Sequence, residues 1–171
     1  NALLIMLFSS TAFYLIAYLL MNLGAFAVIN LITKRADSED IGVFAGLYKN
    51  SPFLALSMTV FLVSLAGLPV TAGFIGKFYL LSYGIAGQNY WLVGTMILMT
   101  IVSYYYYFGI IRQMFFRSPR RSEKVVIPWA TTAAVLLCLV GTIGLGLVPE
   151  MTFKVLNGID WFAAIQPGSN G

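Results

Sequence analysis

The chain has 171 residues, of which 60% are hydrophobic and only 9% are charged. A soluble globular domain is about half apolar and about a quarter charged, so this composition excludes an ordinary soluble domain and indicates a membrane protein. The net charge of +4 does not indicate nucleic-acid binding, because the basic residues lie in short loops between apolar runs.

The chain starts at Asn1, without a basic segment and cleavage site, and apolar residues follow at once. We therefore expect it to be the C-terminal part of a longer membrane protein that forms a single membrane region over residues 1–171. The fold class that we predict is all-α integral membrane protein, with about four transmembrane helices, one of them discontinuous.

Four apolar runs, A to D, give these spans in chain order. Run A begins at Ala2 and exceeds the roughly 20 residues that one span needs, so Ser9, Ser10 and Thr11 are expected to separate a lead-in segment from the span. The predicted spans are 11–33 in run A, 52–87 in run B with a break at 67–72, 90–116 in run C and 126–148 in run D.

The tail, 149–171, predicts a short amphipathic helix that lies on the outer membrane surface. Its apolar residues recur at helical spacing, although Gly158 weakens the pattern. They are Val155, Leu156, Ile159, Phe162 and Ala163.

Run B is too long and too interrupted to be one plain helix. Its 36 residues would extend about 54 Å as a continuous helix, against a hydrocarbon core of about 30 Å. Pro69 cannot donate a hydrogen bond to the Leu65 carbonyl, and Gly67, Gly73 and Gly76 permit an unwound turn around it. We predict half-helices at 52–66 and 73–87, joined by 67–72.

Lys77 is the only charged residue between Lys49 and Arg112, and it falls in the first turns of the second half-helix. Desolvation and the positive end of that half-helix disfavour its ammonium form, whereas carbonyls freed at the break favour it. A lysine balanced in this way can gain and lose a proton, which makes it a candidate proton relay. Two simpler interpretations are a packing kink with no functional role and a lysine that extends toward the outer interface.

Run C contains the sequence SYYYY at 103–107, whose side chains cover every face of a helix. Some of these hydroxyls must find partners inside the protein, so Ser103, Tyr104 and Tyr105 are candidates for polar support of Lys77. Packing and hydrogen bonding between helices is the alternative interpretation.

Loop charge predicts the orientation of the chain. Eight of the ten basic residues lie in the loop between runs A and B, in the loop between runs C and D, or, for Arg112, near the end of run C beside that second loop. The positive-inside rule therefore places 33–51 and 117–127 in the cytoplasm and the C-terminus on the outer side.

The residue types exclude several cofactors. There is no His, and Cys138, the only cysteine, lies inside an apolar run. Iron–sulfur clusters need several thiolates, so we expect neither a metal site nor a bound redox cofactor in this chain.

Three segments carry a resemblance to a known family: YLLMNLGAFAVINLI, SLAGLPVTAGFIGKFYLL and SYYYYFGIIRQMF. In order and spacing they resemble the antiporter-like membrane subunits of respiratory complex I, over nearly the whole chain. Within that family, the sequence GFIGK at 73–77 favours the subunit N branch, since subunit M typically has glutamate at the position of Lys77.

The resemblance implies a protein of about fourteen helices in the bacterial inner membrane, with run B as the discontinuous twelfth. It implies that Lys77 serves the outward half of proton transfer. It also implies that FMN, iron–sulfur clusters and quinone are bound in other parts of the complex. The implied partners are other complex I membrane subunits, the lipid bilayer and the N-terminal helices of the same subunit. A subunit of an Mrp-type cation/proton antiporter and a purely structural segment remain as alternatives.

Overall fold

The computed structural model describes residues 2–38, 40–69, 71–119 and 125–158. Within these ranges the secondary structure is helical, with a 3₁₀ turn at Ile41–Phe44 in the first loop. The α-helices are α1 (Ala2–Ala36), α2 (Leu47–Asn50), α3 (Pro52–Ala66), α4 (Ala72–Ala86), α5 (Tyr90–Phe116), α6 (Trp129–Leu147) and α7 (Pro149–Asn157).

Helix α1 is continuous, so the expected division at Ser9–Thr11 is wrong. The Thr11 Oγ1 donates to the Leu7 carbonyl at 2.8 Å, and Ser9 and Ser10 are buried. Hydroxyl groups that bond within the helix or face the protein interior do not interrupt an apolar helix. At about 1.5 Å per residue, α1 is about 52 Å long and extends well beyond the hydrocarbon core.

One face of α1 forms the centre of the core. Phe13, Ala17, Met21 and Val28 are buried at the three- and four-residue spacing of a single helix face. Helices α3, α4, α6 and α7 all contact α1. The ring of Phe61 from α3 fills the space that a side chain at position 24 would occupy, so Gly24 permits this close approach.

Run B forms two half-helices, as its proline and glycines predict. The first is α3, which starts with Pro52 in its first turn and ends at Ala66. The second is α4, which begins one residue before the predicted position 73. Since α3 is only about 22 Å long, the break after it lies at membrane depth.

The two half-helices approach each other closely at Gly73. A Cβ atom at this position would overlap with the backbone carbonyl oxygen of Ser64, and the Gly73 N–H donates to the Ser64 Oγ at 3.3 Å. Only glycine fits this contact.

Helix α6 begins at Trp129 rather than at 126. Pro128 has an extended conformation with ψ 142°, and a residue that precedes proline, here Ile127, disfavours helical geometry. The following helix, α7, contacts α1 and α6 and buries Leu156. Ile159, Phe162 and Ala163 of the predicted interfacial helix lie outside the described residues.

In the part of the chain that the structure describes, three segments are long and apolar enough to cross a membrane: Leu7–Ala36, Tyr90–Phe116 and Trp129–Leu147. Helix α5 buries little beyond Met114 and exposes apolar side chains along its length, including Ile101 at 62% and Met99 at 62%. Exposed apolar surface of this extent indicates contact with lipid or with further helices.

We expect Phe61→Ala to destabilise the full-length protein by about 3–5 kcal/mol, since it leaves a cavity against Gly24 in the core. The thermal unfolding midpoint in detergent would measure the loss. Phe116→Ala is the matched control, because Phe116 is 84% exposed and should change the midpoint little. Equal midpoints for the two variants would contradict this packing.

Gly73→Ala should separate α3 from α4, because the added methyl group overlaps with a backbone atom that cannot rotate away. A loss of about 1–3 kcal/mol is expected from such overpacking. Gly144→Ala in α6, where an added Cβ meets no atom within 4 Å, provides the control for the same thermal measurement. A Gly73→Ala protein as stable as the control would show that the contact is absent.

Candidate functional site at the helix break

The first half-helix ends in a Schellman motif at Gly67. Gly67 has φ +83°, and its N–H donates to the Ser64 carbonyl at 3.0 Å, while the Leu68 N–H donates to the Val63 carbonyl at 3.2 Å. A side chain at position 67 would be strained in this left-handed conformation. Gly67 therefore ends α3 and starts the unwound turn.

The turn after Gly67 contains the residue that caps the N-terminus of α4. The Leu68 carbonyl accepts hydrogen bonds from the Thr71 N–H at 3.2 Å and from the Thr71 Oγ1 at 2.6 Å. The same Oγ1 accepts from the Phe74 N–H at 3.3 Å, so Thr71 is the N-cap of α4. Pro69 lies exposed within this turn.

Lys77 bonds to carbonyl groups that the Schellman motif leaves open. Its Nζ donates to the Leu65 carbonyl at 3.0 Å and to the Ala66 carbonyl at 3.3 Å. In a continuous helix the N–H at position 69 would bond to Leu65, but proline has none. Lys77 thus supplies the donor that Pro69 removes.

A third carbonyl at the break, that of Gly67, accepts a hydrogen bond from Tyr104. Its hydroxyl donates to the Gly67 carbonyl at 3.3 Å. The carbonyls of Leu65, Ala66 and Gly67, here called the carbonyl cradle, are therefore all bonded by side chains. The negative end of the α3 dipole lies at the same place and favours a cation there.

A cavity of about 230 Å³ lies between α4 and α5 beside the cradle. Its polar lining groups are Lys77, Tyr104 and Thr100, and its other walls include Phe74, Phe78 and Met96. This volume can hold several water molecules, and the polar groups would bond to them. Lys77 therefore faces a space through which a proton could be passed to water.

Two of the glycines predicted to flank the break pack against neighbouring elements. Gly73 and Gly76 lie within the first turns of α4. Gly73 permits the contact with Ser64, and a Cβ at Gly76 would lie 2.9 Å from the Tyr14 ring of α1. Both therefore serve close packing, because helices that cross in a membrane approach most closely at small residues.

Of the three candidates in run C, the structure brings only Tyr104 to the site. Ser103 donates to the Met99 carbonyl of its own helix at 2.8 Å. Tyr105 is 85% exposed on another face of α5. Consecutive residues of a helix are about 100° apart, so one tyrosine can face the break while its neighbour faces away.

Sequence reasoning missed Thr71 and Ser64. A threonine that follows a Pro-containing turn and precedes an apolar run is a usual N-cap signal, so Thr71 could have been found. The contact of Ser64 with Gly73 depends on how the half-helices fold back, and the sequence carries no signal for it. Among the residues that the structure describes, no group of three or more His, Cys, Asp or Glu side chains could hold a metal ion.

Residues 2–104 match the family described as NADH:quinone oxidoreductase/Mrp antiporter, TM. The chain is 44% identical over 153 residues to NADH-quinone oxidoreductase subunit N from Paenibacillus sp. (strain JDR-2), covering 89% of the chain and 29% of the relative. It is 43% identical over 144 residues to the same subunit from Bacillus anthracis, covering 83% of the chain and 28% of the relative.

Among solved structures, the chain is similar to one chain of respiratory complex I from Thermus thermophilus with bound aureothin. The TM-score is 0.75 at 32% identity, covering 87% of this chain and 34% of the other. The chain thus spans about a third of the length of these relatives. The family match extends over more than half of the chain and includes the helix break and Lys77, so the chain belongs to the NADH:quinone oxidoreductase/Mrp antiporter membrane family.

Proposed function

We propose that the chain is the C-terminal part of a proton-translocating membrane subunit of NADH:quinone oxidoreductase, of the subunit N type. The observation that carries this proposal is the bonding of the Lys77 Nζ to two carbonyls of a broken helix beside a cavity. Broken helices with ionisable side chains are the usual construction of transporter sites. The names of the similar proteins support this enzyme over a separate antiporter.

The geometry lets Lys77 change its protonation state without leaving the carbonyl cradle. An ammonium group has three N–H donors, and two of them bond to Leu65 and Ala66. The third has no protein partner among the described residues and is available to water in the adjoining cavity. After that proton leaves, the neutral amine keeps two N–H donors for the same carbonyls. Lys77 can therefore act as a fixed relay in the outward half of the path.

The rest of the path lies outside this chain. The described acidic side chains, Asp37, Asp40 and Glu150, fall outside the spans, so a counter-ion for Lys77 would come from the N-terminal helices of the subunit or from a neighbour. FMN, iron–sulfur clusters and quinone would be bound in other subunits, whose redox reaction supplies the energy. Loop charge favours a bacterial inner-membrane orientation with 33–51 and 117–127 in the cytoplasm and the C-terminus outside.

Lys77→Ala in the full-length subunit of the assembled complex should lower proton translocation about tenfold or more, because the relay group is lost. Lys77→Arg should also be impaired, since its guanidinium keeps its charge. The measurement is proton uptake by proteoliposomes during NADH-driven quinone reduction. Lys49→Ala, at an exposed position of the short helix α2, is the control.

Normal proton translocation by Lys77→Ala would exclude the relay and leave Lys77 a structural role. Sodium-dependent proton exchange in the same vesicles without NADH or quinone would instead favour an Mrp-type antiporter subunit.

Tyr104→Phe should slow coupled turnover about fivefold, equivalent to about 1 kcal/mol for the hydrogen bond lost at Gly67. Tyr105→Phe is the matched control, because the Tyr105 hydroxyl belongs to an 85% exposed side chain. Turnover is measured together with the thermal midpoint, so that loss of activity can be separated from loss of fold. Identical turnover for both variants would remove Tyr104 from the site.

A further inference from the structure

The buried side chains between the first loop and the helix break form one continuous apolar cluster. Its centre consists of six residues from four helices, none of them more than 2% exposed. We call these six residues the apolar layer: Leu54, Met58 and Leu62 of α3, with Val28 of α1, Met114 of α5 and Val135 of α6. From Leu54 to Leu62 the layer extends about 12 Å along α3.

The described helices close this layer by themselves. Its side chains are buried against one another, so their burial does not depend on helices outside the described chain. Between α1 and α3, the ring of Phe61 fills the space that Gly24 leaves open. Apolar interiors packed in this way contain no water, because water needs several polar partners to enter.

The polar side chains within the layer do not form a chain of hydrogen bonds. The Thr59 Oγ1 donates to the Ala55 carbonyl of its own helix at 2.7 Å. The Ser57 Oγ and the Gln113 amide oxygen are fully buried, and neither has a hydrogen-bond partner among the described residues. A hydroxyl group that adjoined a hydrated space would be bonded to water there. Ser57 therefore marks the layer as dry.

The first loop covers the end of the layer that lies away from the break. Phe44 of this loop is buried in the same cluster. The Gly46 N–H donates to the Gln113 backbone carbonyl at 3.1 Å, and the ring of Tyr48 stacks on that of Phe115 with centroids 5.0 Å apart. These contacts attach the loop to the end of α5 and keep it over the layer.

The polar groups of the site begin only at the break. Leu62 lies one helical turn before Ala66, whose carbonyl accepts from Lys77. Tyr104 and the cavity of about 230 Å³ also lie on the side of α4 and not on that of the layer. A proton moves through a protein along hydrogen-bonded groups or water. A layer that offers neither blocks its passage.

We propose that the apolar layer is a proton seal, which isolates Lys77 from the side of the membrane that the first loop faces. This inference rests on the relay proposed above. Protons then reach Lys77 from helices outside the described chain and leave along α4. Without the seal, the proton gradient that the complex builds would drive protons back through this bundle.

The test measures the passive proton leak of proteoliposomes that contain the assembled complex, under an imposed potential and without NADH or quinone. Leu62→Asn has nearly the shape of leucine but admits water, so the leak should rise about fivefold or more. Leu56→Asn on the same helix is the matched control, because Leu56 is 53% exposed, and its leak should stay near that of the wild type. A wild-type leak in the assembled Leu62→Asn complex would overturn the seal.

Leu62→Ala separates the entry of water from the loss of packing. An apolar cavity stays dry, so this variant should lower the thermal midpoint without raising the leak. Equal leaks from the Leu62→Ala and Leu62→Asn complexes would contradict the proposal. If Leu62→Asn prevents assembly, Met58→Gln, which keeps the length of its side chain, takes its place with the same expected leak.

A double variant distinguishes the seal from the relay. Adding Lys77→Ala to Leu62→Asn should remove the extra leak, because the opened path ends at Lys77. Extra leak that persists would keep the seal and contradict the relay. Ser57→Ala should leave NADH-driven proton translocation unchanged, since its hydroxyl has no partner among the described residues. Slower translocation by Ser57→Ala would show a water path through the layer and overturn the seal.

Discussion

The structure depends on one constraint: backbone carbonyls at membrane depth must have hydrogen-bond donors, because no bulk water is present to supply them. At the break after α3, six consecutive carbonyls from Val63 to Leu68 are each bonded. The Schellman motif satisfies the first two, side chains satisfy the carbonyl cradle, and Thr71 satisfies the last. The break is thus stabilised by the same lysine for which we propose a role in proton transfer.

Because Lys77 of α4 bonds to the end of α3, the packing around the break must keep the two half-helices close together. Lys77 reaches back to the end of α3 only because α4 returns close to it, and that approach requires glycine at position 73. Gly76 similarly brings α4 against Tyr14 of α1. The long helix α1 contacts both half-helices and so holds their relative position. Packing residues far from any charge therefore determine the distances at the site.

Much of the fold could be predicted from the sequence because its main determinants are local. Pro69 removes a donor and Gly67 permits a left-handed residue, and both effects act within one turn. The continuity of α1 was missed because the behaviour of Ser9 and Thr11 depends on what surrounds them. Tyr104 could not be separated from Tyr105 either, since the rotational position of α5 relative to the break is set by tertiary packing. The roles of Gly73 and Gly76 depend on neighbouring helices in the same way.

The short sequence separation within the site also bears on how the protein is made. Lys77 lies only 11 and 12 residues from its two acceptors, so this part of the cradle can form within a single inserting hairpin. A lysine at the centre of an isolated helix opposes membrane insertion by about 2.5–3.5 kcal/mol on translocon scales. Hydrogen bonds to the unwound turn would offset part of that cost before any partner helix arrives. The break that we propose for transport would thereby also assist the biogenesis of the span that contains it.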